Sequence, residues 1–165
     1  SEMCIRDRAK VAIAMGMEVI AYDPFISQER AQQMQVRLAA IEDLFKSSDY
    51  VTLHLPRTPE TENLVDANLL ASMKPTARVV NCARGGIVDE QAVLEALESG
   101  ALASAALDVF EIEPAIGNPL LEHEGFHGSP HIGAATLEAQ SRVGLEMVNC
   151  ILTHFDGEKP DSALN

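Results

Sequence analysis

Positive charge is scarce in this chain: 12 Lys and Arg stand against 25 Asp and Glu among 165 residues, a formal net charge of −13 at pH 7. Such a surface repels phosphate backbones and anionic lipid, which argues against nucleic acid or a membrane surface as a partner. Cysteine is scarce too. Cys4, Cys82 and Cys150 are an odd set with no C-x-x-C spacing, which argues against a disulfide framework or a zinc site and suits a reducing cytoplasm. No apolar run approaches the roughly 18 residues of a membrane span, because the stretch from Val11 to Tyr22 is broken by Glu18. The opening SEMCIRDR lacks the apolar segment of a signal peptide and shows no helical periodicity. It reads as a foreign segment, residues 1–8, joined to a truncated gene. Internal repeats and low-complexity tracts are absent as well.

What is present is a globular composition, 47% apolar and 22% charged, in a length that buries roughly 70% of the unfolded surface. AKVAIAM reads as the tail of a helix ended by a left-handed Gly16. Strand-like runs follow at Glu18 to Asp23, Val36 to Ala39, Asp49 to Leu55, Arg78 to Cys82 and Ser104 to Phe110. Helical patterns lie between them: from the Ser27 cap to Met34, IEDLFKSS, Asp66 to Met73, and Asp89 to Glu98. Glu111 to Gly128 is loop-like. Thr136 to Phe155 reads as one long amphipathic helix, with Ala139, Val143, Met147 and Ile151 four apart. Alternating strand and helix specify an α/β fold, a parallel sheet with helices on its faces.

In such sheets ligands bind at the carboxyl ends of the strands, so those residues are the candidates. Asp23 closes the first strand, where a carboxylate can accept hydrogen bonds from a ribose diol and repel an extra phosphate, selecting NAD over NADP; as an acidic residue before Pro24 it could equally be an ordinary loop residue. No G-x-G-x-x-G loop precedes it. Arg84 is the one Lys or Arg between Ala83 and Ser141, a stretch holding ten acids. An arginine fork there can grip a carboxylate, and Gly85 and Gly86 permit close approach; the plainer alternative is an ion pair with a neighbouring acid. His131, after Pro130, can exchange a proton near neutrality. Glu113 or, equally from chemistry alone, Glu111 could orient it and favour its protonated form. His123, His127 and His154 read as surface residues.

The blocks AYDPFIS, HLPRTPET, VVNCARGGIVDE, AALDVFEIEP and SPHIGAATLEAQSRVG resemble, in order and over Ala9 to Gly157, the nucleotide-binding domain of the D-isomer-specific 2-hydroxyacid dehydrogenases. The resemblance implies a Rossmann-like, doubly wound sheet that lacks its first strand and Gly-rich loop, a truncated NAD-binding domain over 9–157, and a return toward a substrate domain at 158–165. It implies that Arg84 binds the substrate carboxylate, that His131 is the acid/base and that Glu113, directly before proline, is its partner. It further implies NAD contacts at Asp23, Leu55, Cys82, Ala83, Arg84, Asp108, His131, Ile132, Gly133 and Ala134. The implied reaction is oxidation of a small anionic D-2-hydroxyacid, with 3-phosphoglycerate favoured, at the start of serine synthesis. Glyoxylate, hydroxypyruvate or D-lactate reduction is the alternative, and an NAD-sensing corepressor is an alternative of another class. A cytoplasmic homodimer is implied, with weak support from the apolar helix at Ala92 to Leu97. EGFHGSPH replaces the usual apolar last strand, which predicts a short one. Without a central strand, the chain alone is expected to be poorly folded or oligomeric and to have little or no activity.

Overall fold

The computed structural model describes residues 2–160 and divides into two compact units, the first running to Pro130 and the second starting at His131. The last residues of the expected return segment, 161–165, lie outside the described residues. The first unit opens with α1 (Glu2–Ala14), which begins well before the expected start at Ala9. Its more buried positions are Ile5, Arg6, Ala9, Ala12 and Ile13. Gly16 follows at φ +83° and ends the helix, as expected.

β1 (Ile20–Ala21) and β2 (Arg37–Leu38) pair in parallel as a two-stranded sheet, connected by α2 (Gln28–Gln33), whose Ser27 side chain caps the Arg30 amide. The ladder is shorter than the apolar run from Glu18 to Asp23 suggests. A second sheet holds β3 (Tyr50–Leu53), β4 (Arg78–Asn81), β5 (Ser104–Leu107) and β6 (Phe126–Gly128), all parallel and in that order. Among the described residues β1 pairs only with β2, and β3 only with β4.

α3 (Ile41–Ser47), α4 (Ala67–Ser72) and α5 (Glu90–Glu98) pack side by side. Parity explains the core beneath them. Val51, Leu53, Val79, Ala105 and Leu107 are buried, and they interlock with Phe45, Leu70, Val93 and Leu102. The alternate positions are more open: Tyr50 is exposed and the Arg78 guanidinium lies 5.3 Å from its ring centroid. Ala92, Val93, Ala96 and Leu97 belong to this core. The apolar character of α5 that supported a dimer therefore serves the chain's own interior.

Two corrections concern the segment Glu111 to Gly128. It contains a 3-10 turn at Pro119–Glu122, capped by Asn118, and then β6, which pairs with β5 through Ala105, Ala106 and Leu107. Gly and His hid this strand, yet its three residues agree with the expected short last strand. The second unit is a turn from His131 followed by α6 (Leu137–Phe155), which Thr136 caps at the Ala139 amide.

Candidate active site

The four parallel strands of the larger sheet finish in register at Leu53, Asn81, Leu107 and Gly128, so the segments that follow them emerge at one edge. Asn81 organises that edge. It is 1% exposed, its Nδ2 donates to the Arg84 carbonyl at 2.9 Å, and its Oδ1 accepts the Ala83 amide at 2.9 Å. One buried side chain thus closes the turn Cys82–Ala83–Arg84 upon itself. The Arg84 guanidinium is exposed and donates to the Ala83 carbonyl at 2.6 Å. The alternative reading of Arg84 as an ion-pair partner of a nearby acid finds no such pair among the described residues.

Gly85 and Gly86 are required sterically. A Cβ on Gly85 would stand 1.8 Å from the Phe110 carbonyl oxygen, and Gly86, at φ +74°, lies beneath the Arg57 guanidinium, itself ion-paired to Glu62. Backbone bonds from Asn63 to Gly86, from Val65 to Ile87 and from Asp89 to Val65 bind the far side of this turn. The turn carrying Arg84 is therefore clamped from several directions.

The close approach of Gly85 brings in the next strand. Asp108 is buried, donates its amide to the Asn81 carbonyl at 2.9 Å, and accepts the Ser129 hydroxyl at 2.6 Å. Beyond it, Glu113 accepts the Phe110 amide through Oε1 at 3.0 Å, in a turn whose Glu113–Pro114 peptide is cis. Glu111 behaves differently: its amide donates at 2.6 Å to Glu90, whose other carboxylate oxygen accepts Asn118 Nδ2 at 2.6 Å. The Glu113 side chain and the Glu111 backbone thus hold this loop by different contacts.

Leu55 follows β3 beside His54, whose pKa is lowered first by burial and second by the Arg8 charge. His54 Nε2 lies 3.3 Å from Thr52 Oγ1. Cys82 is exposed just past β4. Asp23 stands at the end of β1 in the smaller sheet, and its Oδ1 accepts the Phe25 amide at 2.8 Å. His131 belongs to the second unit, where it adopts φ +55° and opens a turn closed by the Ala135 amide on the Ile132 carbonyl at 3.0 Å. Gln140 Nε2 ties that turn to α6 by donating to the Ala134 carbonyl at 2.8 Å. The structure thus gathers Ala83, Arg84, Asp108 and Glu113 around one strand edge. Asp23 and His131 are described on separate elements.

Two residues of this edge escape the sequence argument. Asn81 carries a signal in hindsight, a polar residue at the buried parity of VVNC. Glu90 carries none, because its partners lie 21 and 28 positions away.

The fit to a dinucleotide can be tested on these contacts. A carboxylate at a strand end suits a ribose diol, and a glycine-bearing turn with a close backbone approach suits an extended cofactor. Both are present, at Asp23 and at Ala83 to Gly86. Parallel strands, crossover helices and these strand-end residues define a Rossmann-like dinucleotide-binding fold. The chain belongs to the D-isomer specific 2-hydroxyacid dehydrogenase family, whose NAD binding domain matches residues 6–133. It is 49% identical over 157 residues to a D-3-phosphoglycerate dehydrogenase of Synechocystis sp., covering 95% of this chain and 28% of that protein. The Bacillus subtilis D-3-phosphoglycerate dehydrogenase is 44% identical, covering 95% and 30%. Among solved structures, a D-isomer specific 2-hydroxyacid dehydrogenase from Lactobacillus delbrueckii ssp. bulgaricus in NAD-complexed form superposes with TM-score 0.85 at 30% identity, covering 95% of this chain and 51% of that one. A D-lactate dehydrogenase from Treponema pallidum superposes with TM-score 0.84 at 29% identity, covering 97% and 52%. The chain thus spans under a third of these curated relatives and about half of these solved chains. No helix among the described residues is long and apolar enough to cross a membrane.

Proposed function

We propose that the chain is the NAD-binding part of an NAD-dependent dehydrogenase that oxidises 3-phosphoglycerate to 3-phosphohydroxypyruvate, at the start of serine synthesis. The observation that carries this reading is the turn at the end of β4, where buried Asn81 holds the backbone that presents the exposed Arg84. The names and identities of the two curated relatives favour phosphoglycerate. Bound NAD would supply the hydride acceptor for C2 of the hydroxyacid. Asp23, Leu55, Cys82 to Arg84, Asp108 and His131 to Ala134 would hold it.

The remaining chemistry belongs to three side chains. Arg84 grips the substrate carboxylate with paired hydrogen bonds and so aims the reacting carbon. Neutral His131 takes the hydroxyl proton. Glu113 stabilises the imidazolium that forms. A cytoplasmic homodimer completes the proposal. D-lactate or a related oxoacid is the second reading, favoured by the likeness to the Treponema pallidum D-lactate dehydrogenase.

The test is a panel of 2-hydroxyacids and oxoacids offered to the full-length protein with NAD or NADH, with His131→Ala alongside. The expected result is turnover with 3-phosphoglycerate that falls at least about a hundredfold in the variant. NAD binding without turnover of any acid would overturn the enzymatic reading.

A further inference from the structure

We propose that Glu90 is a positioning residue for Glu113, an inference that rests on the dehydrogenase reading above. Glu90 is the first residue of α5, directly after its Asp89 cap. Its carboxylate turns away from its own helix. Oε1 accepts the Glu111 amide at 2.6 Å and Oε2 accepts Asn118 Nδ2 at 2.6 Å. These two anchors bracket the loop that carries Glu113. On the outer side of this loop Ile112 and Ile116 are 77% and 88% exposed. Hydrogen bonds to an ionised acceptor are shorter and roughly twice as strong as neutral ones, so this pair sets where residues 111 to 118 lie.

The chemistry of the anchor is specific to a carboxylate. Both groups facing Glu90 are donors, and a carboxylate alone offers two acceptors. The Asn118 amide cannot simply turn over, because its Oδ1 already accepts the Leu120 amide at 3.0 Å. An amide at position 90 would therefore meet one donor with another. The mismatch is repaired if residue 118 becomes an acceptor, so Glu90→Gln and Asn118→Asp each harm the anchor while together they restore it. The first bond of the chain Glu90 to Glu111 to Glu113 is thus separable from the stability of α5, whose cap is Asp89.

The experiment is the pH dependence of kcat and kcat/KM for hydroxyacid oxidation by the full-length protein. On the dehydrogenase reading the rising limb of that profile reports the proton acceptor of the reaction, and a displaced Glu113 moves it. In Glu90→Gln the limb moves to lower pH and kcat falls about tenfold, while KM for the hydroxyacid stays near the parent value because the Arg84 turn is untouched. Asn118→Ala, which removes one anchor and leaves α5 alone, shifts the limb in the same direction by less. The double variant Glu90→Gln/Asn118→Asp returns both limb and kcat to the parent. A parent-like limb and kcat in Glu90→Gln, or a double variant no better than the singles, overturns the inference while leaving the dehydrogenase reading intact. A full-length parent that turns over no hydroxyacid sinks the reading itself, and the inference with it.

Discussion

Asn81 shows how much one buried amide can organise. Its donor and acceptor ends both go to the backbone of the turn it precedes, so truncation leaves the part-buried Ala83 N–H and Arg84 C=O without that partner rather than merely deleting a contact. Leaving such groups unmet costs about 1 to 3 kcal/mol. Asn81→Ala is expected to lose stability in that range by urea denaturation, and in the full-length protein to raise KM for the hydroxyacid more than it lowers kcat, since Arg84 loses its footing. Equal stability with unchanged KM would remove Asn81 from the site. The exposed strand-end position of Arg84 was legible without coordinates, because the apolar run before it ends at Cys82 and a lone cation follows in an acidic stretch. Glu113 was preferred to Glu111 only through family resemblance, and a contact such as the Phe110 amide on the Glu113 carboxylate leaves no trace in spacing.

At the scale of elements, caps were the most readable features. Ser27, Asp66, Asp89 and Thr136 each accept an amide three residues on, and each precedes a helix that the pattern places within a residue or two. Side-chain caps are local, so local sequence suffices to find them. Asp89→Ala is expected to destabilise the fold by about 1 kcal/mol in thermal or chemical unfolding, with the pH limb of the full-length protein unmoved, in contrast to Glu90→Gln. Strand ends were less readable. The apolar runs continue past the ladder at both Glu18 to Asp23 and Ser104 to Phe110, and at the second burial persists where pairing stops: Val109 and Phe110 are buried beyond β5. β6 was the opposite case, paired although its sequence, FHG, has one buried residue.

Whole-molecule behaviour follows from how the parts share charge and burial. His54 sits half-buried at the end of β3 with Arg8 nearby, and both influences hold its pKa below the ordinary value, burial foremost. Its unfolded-state pKa is about 6.5, so the unfolded chain takes up the proton first as pH falls. The contribution of neutral His54 is therefore full above about 6.5 and is lost as pH falls through that value toward the lower folded pKa. Melting temperature is expected to decline over that interval less steeply in His54→Gln than in the parent; identical slopes would exclude this histidine as a source. The overall α/β class was legible because alternation of elements is a global pattern, whereas the division at Pro130 was not.

The turn opened by His131 has a bearing on protein engineering. A non-glycine residue at φ +55° accepts backbone strain of about 1 kcal/mol or more, and histidine relieves only part of it through its tolerance of that region. A redesign scored on thermostability alone would rank glycine first at this position. It would gain a more relaxed turn and discard the imidazole, so screens for robust variants of this fold should hold position 131 constant from the outset.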